Sequence, residues 1–258
     1  MILALDIGNT NIVVGCIQNE DDIVFIERVA TNTLKTEFEY AVDFQALLSL
    51  YDIKKSEITG CIISSVVPPL NNIMVRAIDK LLGTTPMIVG PGIRTGLNIL
   101  MDNPASVGAD LIVNAVAGIR CYGAPLIMID MGTATTVSLV DEKANYVGGM
   151  ILPGVRVSLD SLVSRTSQLP RIGLDAPKKL IGKNTIDCMK SGIIMGQASA
   201  MDGLIDRICD EMGRKIPVVA TGGLSSSIIP FCRNEVIIDN DLTLKGLKYI
   251  YDKNAGSL

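Results

Sequence analysis

Two stretches of this chain, ILALDIGNTNIVVG at 2–15 and LIMIDMGTATTVSL at 126–139, carry one pattern. Each is a short apolar run that ends in Asp-x-Gly, turns through small polar residues and returns as a second apolar run. Aligning them puts Asp6 on Asp130 and Gly8 on Gly132, with Thr10 on Ala134 and the flanking Thr133 and Thr135 on Asn9 and Asn11. Short apolar runs bounded by turn residues predict buried strands. After the first copy, the pattern predicts a strand at 22–30, a helix at 36–50, a strand at 60–66, a helix at 69–82, a strand at 86–90 and a helix at 105–120. The second copy is followed by a strand at 143–149, a long helix at 187–212, a strand at 216–221, a short helix, a strand at 235–239 and a helix at 243–253. Strands alternating with helices imply an α/β fold, and a repeat of half the chain is too long for a solenoid. The expectation is two similar α/β domains, 1–118 and 119–258, facing each other across a cleft.

The doubled turn has a chemical logic. Glycine lets a backbone come close to a ligand, and turn N–H groups with the side chains of Asn9, Thr10 and Asn11 can donate to phosphate oxygens. An aspartate at the strand end, Asp6, can hold hydrated Mg²⁺. A single such turn is equally well a plain hairpin, because Asp and Gly are ordinary turn residues; two at matching places favour phosphate binding. Thr221-Gly222-Gly223, between a strand and a helix, gives a flat ring access to backbone, as an adenosine site needs, although it also suits a tight turn. Competing nucleotide signatures fail: Pro177 stands where a phosphate-loop glycine would precede Gly182-Lys183, and Thr95 replaces the third glycine of a dinucleotide fingerprint beginning at Gly90.

Composition narrows the chemistry. The chain has no histidine among its 258 residues, which excludes Ser-His-Asp and Cys-His catalysis and leaves Asp, Glu, Lys, Tyr or Cys as general base. Six scattered cysteines, with no Cys-x-x-Cys pair, are expected to be reduced core residues. A net charge of −4 argues against nucleic acid. No apolar run approaches the roughly 18 to 20 residues of a membrane span, and Met1-Ile-Leu-Ala-Leu-Asp6 lacks the basic start of a secretory signal, so a cytoplasmic location without membrane contact is expected. Gly192, Gly196, Ala198 and Ala200 on the long helix predict close helix packing, within the chain or across a dimer interface. Asp110, at the start of an apolar helix, is placed to favour the helix dipole.

Several strings, in order, then point to one family. Asp6-Ile-Gly-Asn-Thr-Asn11, Ser64-Ser-Val-Val-Pro-Pro69, Gly108-Ala-Asp110, Asn114-Ala-Val-Ala117, Asp130-Met-Gly-Thr-Ala-Thr-Thr136, Gly148-Gly149, Pro153-Gly154, Gly182-Lys-Asn-Thr185 and Thr221-Gly-Gly223 resemble the motifs of type III pantothenate kinases. The resemblance covers nearly the whole chain. It implies two ribonuclease H-like domains of the actin-like ATPase type around a nucleotide cleft. It implies ATP-dependent phosphorylation of pantothenate to 4′-phosphopantothenate, the first step of coenzyme A synthesis, by a homodimer using Mg²⁺ and a monovalent cation, K⁺ or NH₄⁺.

Residue by residue, the resemblance makes Asp6, Ile7, Gly8, Asn9, Thr10, Asn11, Ile12 and Val13 the ATP phosphate loop, with Thr133 also on ATP, while the strand-to-helix turn itself suggests Gly222 and Gly223 for the nucleoside. It makes Asp110 the proton acceptor and Asp130 the ligand of the monovalent cation. Gly108, Ala109, Asp110, Leu111, Thr185 and Met101 line the substrate site. Two positions depart from the family pattern: Met101 stands where a tyrosine is usual, and Leu111 where an arginine is usual, the natural partner of an acid's carboxylate. A kinase for another small alcohol or acid, or a non-catalytic nucleotide-dependent regulator on the same fold, are the alternative readings.

Overall fold

Five of the six residues of β1 (Ile2–Ile7) are buried, and the strand lies at the centre of a five-stranded sheet. A strand covered on both faces needs no polar alternation. Leu3, Leu5 and Ile7 pack into one core with Tyr40, Phe44 and Met74, while Ile2 and Ala4 pack into another with Val113, Leu247 and Ile250. The computed structural model to which these elements belong describes residues 1–19 and 22–256. β2 (Asn11–Asn19) and β3 (Asp22–Ala30) continue β1 as an antiparallel meander. α1 (Glu37–Leu50) starts at a capping box, where Glu39 N–H donates to Thr36 Oγ1 and Thr36 N–H donates to Glu39 Oε2. β4 (Gly60–Ser65) pairs parallel with β1, and α2 (Pro68–Leu82) and β5 (Met87–Ile88) complete the sheet order β3-β2-β1-β4-β5.

The chain then passes through β6 (Asn98–Ile99) and α3 (Ala109–Tyr122) into a second meander of β7 (Leu126–Met131), β8 (Ala134–Val140) and β9 (Asn145–Pro153). α4 (Val155–Ser164), α5 (Thr185–Glu211), β10 (Val218–Thr221), α6 (Ser225–Ile228), β11 (Ile237–Ile238) and α7 (Leu242–Ala255) follow. The second sheet has the order β11-β10-β7-β8-β9-β6. Leaving β6 aside, β7 to β11 take the places that β1 to β5 hold in the first sheet. Ile127, Ile129 and Met131 of β7 pack against Ile194, Met201 and Ile205 of α5 in a separate core.

The domain limits expected from the sequence need correcting at two segments. One compact unit comprises Met1–Leu97, Asp102–Ala117 and Leu242–Leu258, the other Asn98–Met101 and Gly118–Asp241. α7 returns to the first sheet because its apolar face completes that core, and glycines make room for it. A Cβ on Gly15 would meet the Leu244 side chain, and one on Gly60 the Tyr251 ring. Asn98 and Ile99 leave the first unit because they pair with Asn145 and Tyr146 of β9.

Smaller differences have local causes. The helix expected from 105 begins at Ala109, because Pro104–Ser106 forms a separate 3₁₀ turn. β9 runs on to Pro153, beyond the glycine pair at 148–149, and α4 was not expected at all. Only Cys16 and Cys61 are buried; Cys121 and Cys188 are exposed and Cys209 and Cys232 lie between, so the cysteines are not all core residues. Gly192 and Gly196 are exposed on α5, with nothing within 4 Å of a Cβ built on either, so they make no close packing within the chain. Among the described residues no helix is long and apolar enough to cross a membrane.

Candidate active site

In the first unit Ile7 faces Ile12 across the β1–β2 pair, and Gly8-Asn9-Thr10 make the turn between the strands. Gly8 N–H donates to the Asn11 carbonyl at 3.0 Å, and a Cβ on Gly8 would lie 3.1 Å from that oxygen. The turn is also tied to the residue that follows β3. Thr31 N–H donates to the Thr10 carbonyl at 3.0 Å, and the Thr31 hydroxyl donates to the Gly8 carbonyl at 2.6 Å. Held in this way, Asn9, Thr10 and Asn11 present exposed side chains, whereas Ile7 and Ile12 point into the core and have only backbone to offer a phosphate. Val13 and Asp6 are half-buried opposite each other in the ladder.

The second unit repeats the arrangement with one residue fewer. Met131 faces Thr135, Gly132-Thr133 make the turn, and Gly132 N–H donates to the Ala134 carbonyl at 3.0 Å. Gly154 N–H donates to the Thr133 carbonyl at 3.1 Å, as Thr31 does to Thr10. Thr133 is therefore the structural counterpart of Thr10, and the offset of the threonines in the aligned sequences is the missing turn residue. Asp130 is half-buried, next to Thr221 of β10 in register. Gly222 has φ of +92°, and a Cβ there would fall 2.6 Å from Asp130 Oδ1 and 2.7 Å from Met131 N. That position requires glycine for its backbone angle and for space. Ser225 locks it, its N–H and hydroxyl donating to the Gly222 carbonyl at 3.1 and 2.8 Å. Asp130, Thr133 and Gly222 are thus brought together; Gly223 follows, exposed.

Asp110 stands in the first turn of α3, in the first unit. Leu111 N–H donates to Asp110 Oδ1 at 2.8 Å. A Cβ on Gly108 would collide with that same oxygen and lie 3.8 Å from Val66 Cγ1. Val66 N–H in turn donates to the Ile7 carbonyl at 3.0 Å, so Gly108 and Asp110 sit by the end of β1. Burial raises the Asp110 carboxyl above the ordinary aspartate pKa, with the N–H groups of Leu111 and of Asp110 itself pulling the other way. A desolvated carboxylate is a stronger base than one in water. Ala109 and Leu111 flank it, both half-buried.

The remaining expected substrate residues lie in the second unit. Met101 places its sulfur 3.5 Å from where a Cβ of Gly148 would be. Thr185 is the exposed first residue of α5, after Asn184, whose side chain accepts from Asp187 N–H at 2.9 Å. Two further residues stand by the end of β1 in the first unit, Thr31 through its bond to the Gly8 carbonyl and Ser64 through its register with Asp6. Thr31 had no signal beyond its place after a strand; Ser64 had one, a hydroxyl ending an otherwise apolar strand.

No three Asp, Glu or Cys side chains converge on a metal-sized space among the described residues. Mg²⁺ fits nonetheless, since it is commonly held by one or two carboxylates with the rest of its shell from phosphates and water, and Asp6 at the polar turn supplies one. Around Asp130 Oδ1 two glycines leave out a Cβ, which on Gly132 would lie 3.8 Å and on Gly222 2.6 Å from that oxygen.

Comparison with known proteins agrees in one direction. The family model described as type III pantothenate kinase matches residues 2–207. A type III pantothenate kinase from Halalkalibacterium halodurans is 48% identical over 255 residues, covering 99% of this chain and 100% of that protein. One from a Geobacillus species is 46% identical over 255 residues, covering 99% and 98%. Among solved structures, the activator of 2-hydroxyisocaproyl-CoA dehydratase from Clostridium difficile, with bound ADPNP, superposes with a TM-score of 0.61 at 14% identity, covering 99% and 96%. At that identity it speaks for the fold alone.

Proposed function

From the premise that this chain belongs to the type III pantothenate kinase family and phosphorylates pantothenate with ATP, we propose that Asp110 is the base of that reaction and that the two polar turns bind the polyphosphate. The observation that carries this assignment is Asp110 itself: a carboxylate desolvated by burial, oriented by Leu111 N–H and set beside the end of β1. Phosphoryl transfer asks a protein mainly for positioning and charge neutralisation. The exposed side chains and N–H groups of Asn9, Thr10 and Asn11 supply donors for phosphate oxygens, and Thr133 supplies another. Asp6 would hold Mg²⁺ and Asp130 a potassium or ammonium ion. The chemistry these ions supply when bound is neutralisation of phosphate charge. Asp110 takes the proton from the primary hydroxyl of pantothenate as that oxygen attacks the γ-phosphorus, and ADP leaves. Gly108, Ala109, Leu111, Met101 and Thr185 are assigned to the substrate.

The protein works, on this reading, as a homodimer. Support comes from the exposed apolar side chains of Leu180, Ile181 and Ile186, beside the uncovered Gly192 and Gly196 of α5, a combination that suits burial against a second copy. The test of the assignment is ADP release by the purified chain with Mg²⁺ and potassium, with pantothenate or a panel of sugars as acceptor. Release that depends on pantothenate supports it; release indifferent to the acceptor, or driven by sugars alone, removes it.

A further inference from the structure

The polar interior of the first unit holds one hydroxyl that the reaction described above does not use. Ser64 is fully buried, and its Oγ has no hydrogen-bond partner. A buried hydroxyl left unpaired is destabilising, so an isolated one calls for a reason. Among the described residues, Asn71, Thr135 and Gln197 also carry such an atom. Thr135 faces apolar Met131 across its ladder, and Asn71 and Gln197 lie on helices. Ser64 differs in its neighbour. It is the register partner of Asp6 in the parallel β1–β4 pair.

Side chains of register partners leave a sheet on the same face. Ile2 and Ala4 of β1 and Ile62 of β4 share one core with Val113 of α3. Counting in twos along each strand puts Asp6 and Ser64 side by side on that face, under the helix that carries Asp110 one turn before Val113 and Asn114. A donor with no acceptor thus stands beside a carboxylate, which can only accept. The second unit has the same pairing, with Thr221, also buried, as the register partner of Asp130.

We propose that Ser64 is a positioning residue for the phosphate site: when Mg·ATP binds, the Ser64 hydroxyl donates a hydrogen bond to the Asp6 carboxylate and holds it toward the nucleotide. The unpaired hydroxyl of the free protein is satisfied only in the bound state, so its cost favours binding. This rests on the assignment of Asp6 to the Mg·ATP site.

The test is calorimetric binding of Mg·ATP, with thermal unfolding of the free protein measured alongside, for wild type, Ser64→Ala, Ser64→Thr, Asp6→Ala and the double variant Ser64→Ala/Asp6→Ala. A hydrogen bond to a charged group corresponds to about a ten- to hundred-fold change in affinity. Ser64→Ala should weaken Mg·ATP by that factor, and the free protein should melt no lower than wild type, since the lost hydroxyl had no partner. Ser64→Thr should bind within a few-fold of wild type, and Ser64→Ala should have little further effect once Asp6 is alanine. The idea is overturned if Ser64→Ala binds like wild type, if it unfolds or melts lower when free, or if it weakens binding equally in the Asp6→Ala background. Failure of the wild type itself to bind Mg·ATP would instead bring down the underlying site assignment, and this inference with it.

Discussion

Replacing Asp110 with asparagine keeps the shape of the side chain and removes the proposed base. The amide oxygen can still accept the Leu111 N–H that Oδ1 accepts at 2.8 Å, and Gly108 still leaves it room. A positioned base contributes about a hundred- to ten-thousand-fold, or about 3–5 kcal/mol of barrier, and kcat should fall by that much. ATP affinity should hold, because the phosphate contacts are proposed on the turns. Stability supplies a second, opposite readout. Burial raises the folded-state pKa of Asp110 above its unfolded value, so its favourable contribution is present below about pH 4 and is lost as pH rises through the folded pKa. The ionised carboxylate therefore carries a charge that its site disfavours. Asparagine carries none, and gives up only the helix-dipole attraction of about 0.3–1 kcal/mol. Asp110→Asn should melt at least as high as wild type at pH 8 and lose that advantage as pH falls toward 4. The assays are ADP release, calorimetry with ATP, and thermal unfolding across pH on one preparation. Near-normal kcat would remove Asp110 as the base, and a variant that melts lower at pH 8 than at pH 4, relative to wild type, would refute the burial argument.

Gly222→Ala puts a Cβ against Asp130 Oδ1 and Met131 at a φ of +92°; strain of about 1–3 kcal/mol should lower the melting temperature and the potassium stimulation of turnover together. Gly246→Ala, whose Cβ would lie 2.9 Å from the Val113 carbonyl carbon, should destabilise by about 1–3 kcal/mol in denaturant unfolding, because overpacking against backbone outweighs the helix propensity gained. Leu111→Arg should lower KM for pantothenate with little change in kcat, the mark of uniform binding, in steady-state assays. Light scattering should give about twice 27.5 kDa, and a fully active monomer would contradict the dimer.

What could be read from the sequence is what short-range chemistry controls. The Asp-x-Gly turns and the buried β1 run announce themselves through residues a few positions apart. α7 does not: its destination depends on sockets at Gly15 and Gly60, about two hundred residues earlier, and nothing in Leu244 or Tyr251 says which sheet they fill. β6 is two residues long and exists only because β9 offers it an edge. For the site, Asp6, Asp130 and Gly222 could be picked out as motif residues, yet that Gly222 is shaped by Asp130 follows only from the parallel pairing of β10 with β7. Ser64 was visible as a polar end to an apolar strand, but its register with Asp6 was not.

The two turns also show what the repeat conserves. Measured from the aspartates, Thr10 and Thr133 are out of step; measured from the exits of β3 and β9, they coincide, because Thr31 and Gly154 hold their carbonyls in the same way. The side chains at those exits differ for a reason that follows from turn length. The longer first turn leaves space for the Thr31 side chain, whose hydroxyl reaches the Gly8 carbonyl. In the shorter turn a Cβ on Gly154 would run into the carbonyls of Gly132 and Thr133. A threonine at 154 would therefore need the second turn lengthened by a residue, so the turn length and the residue at the strand exit act as one unit, and a comparison of the two halves has to treat them together.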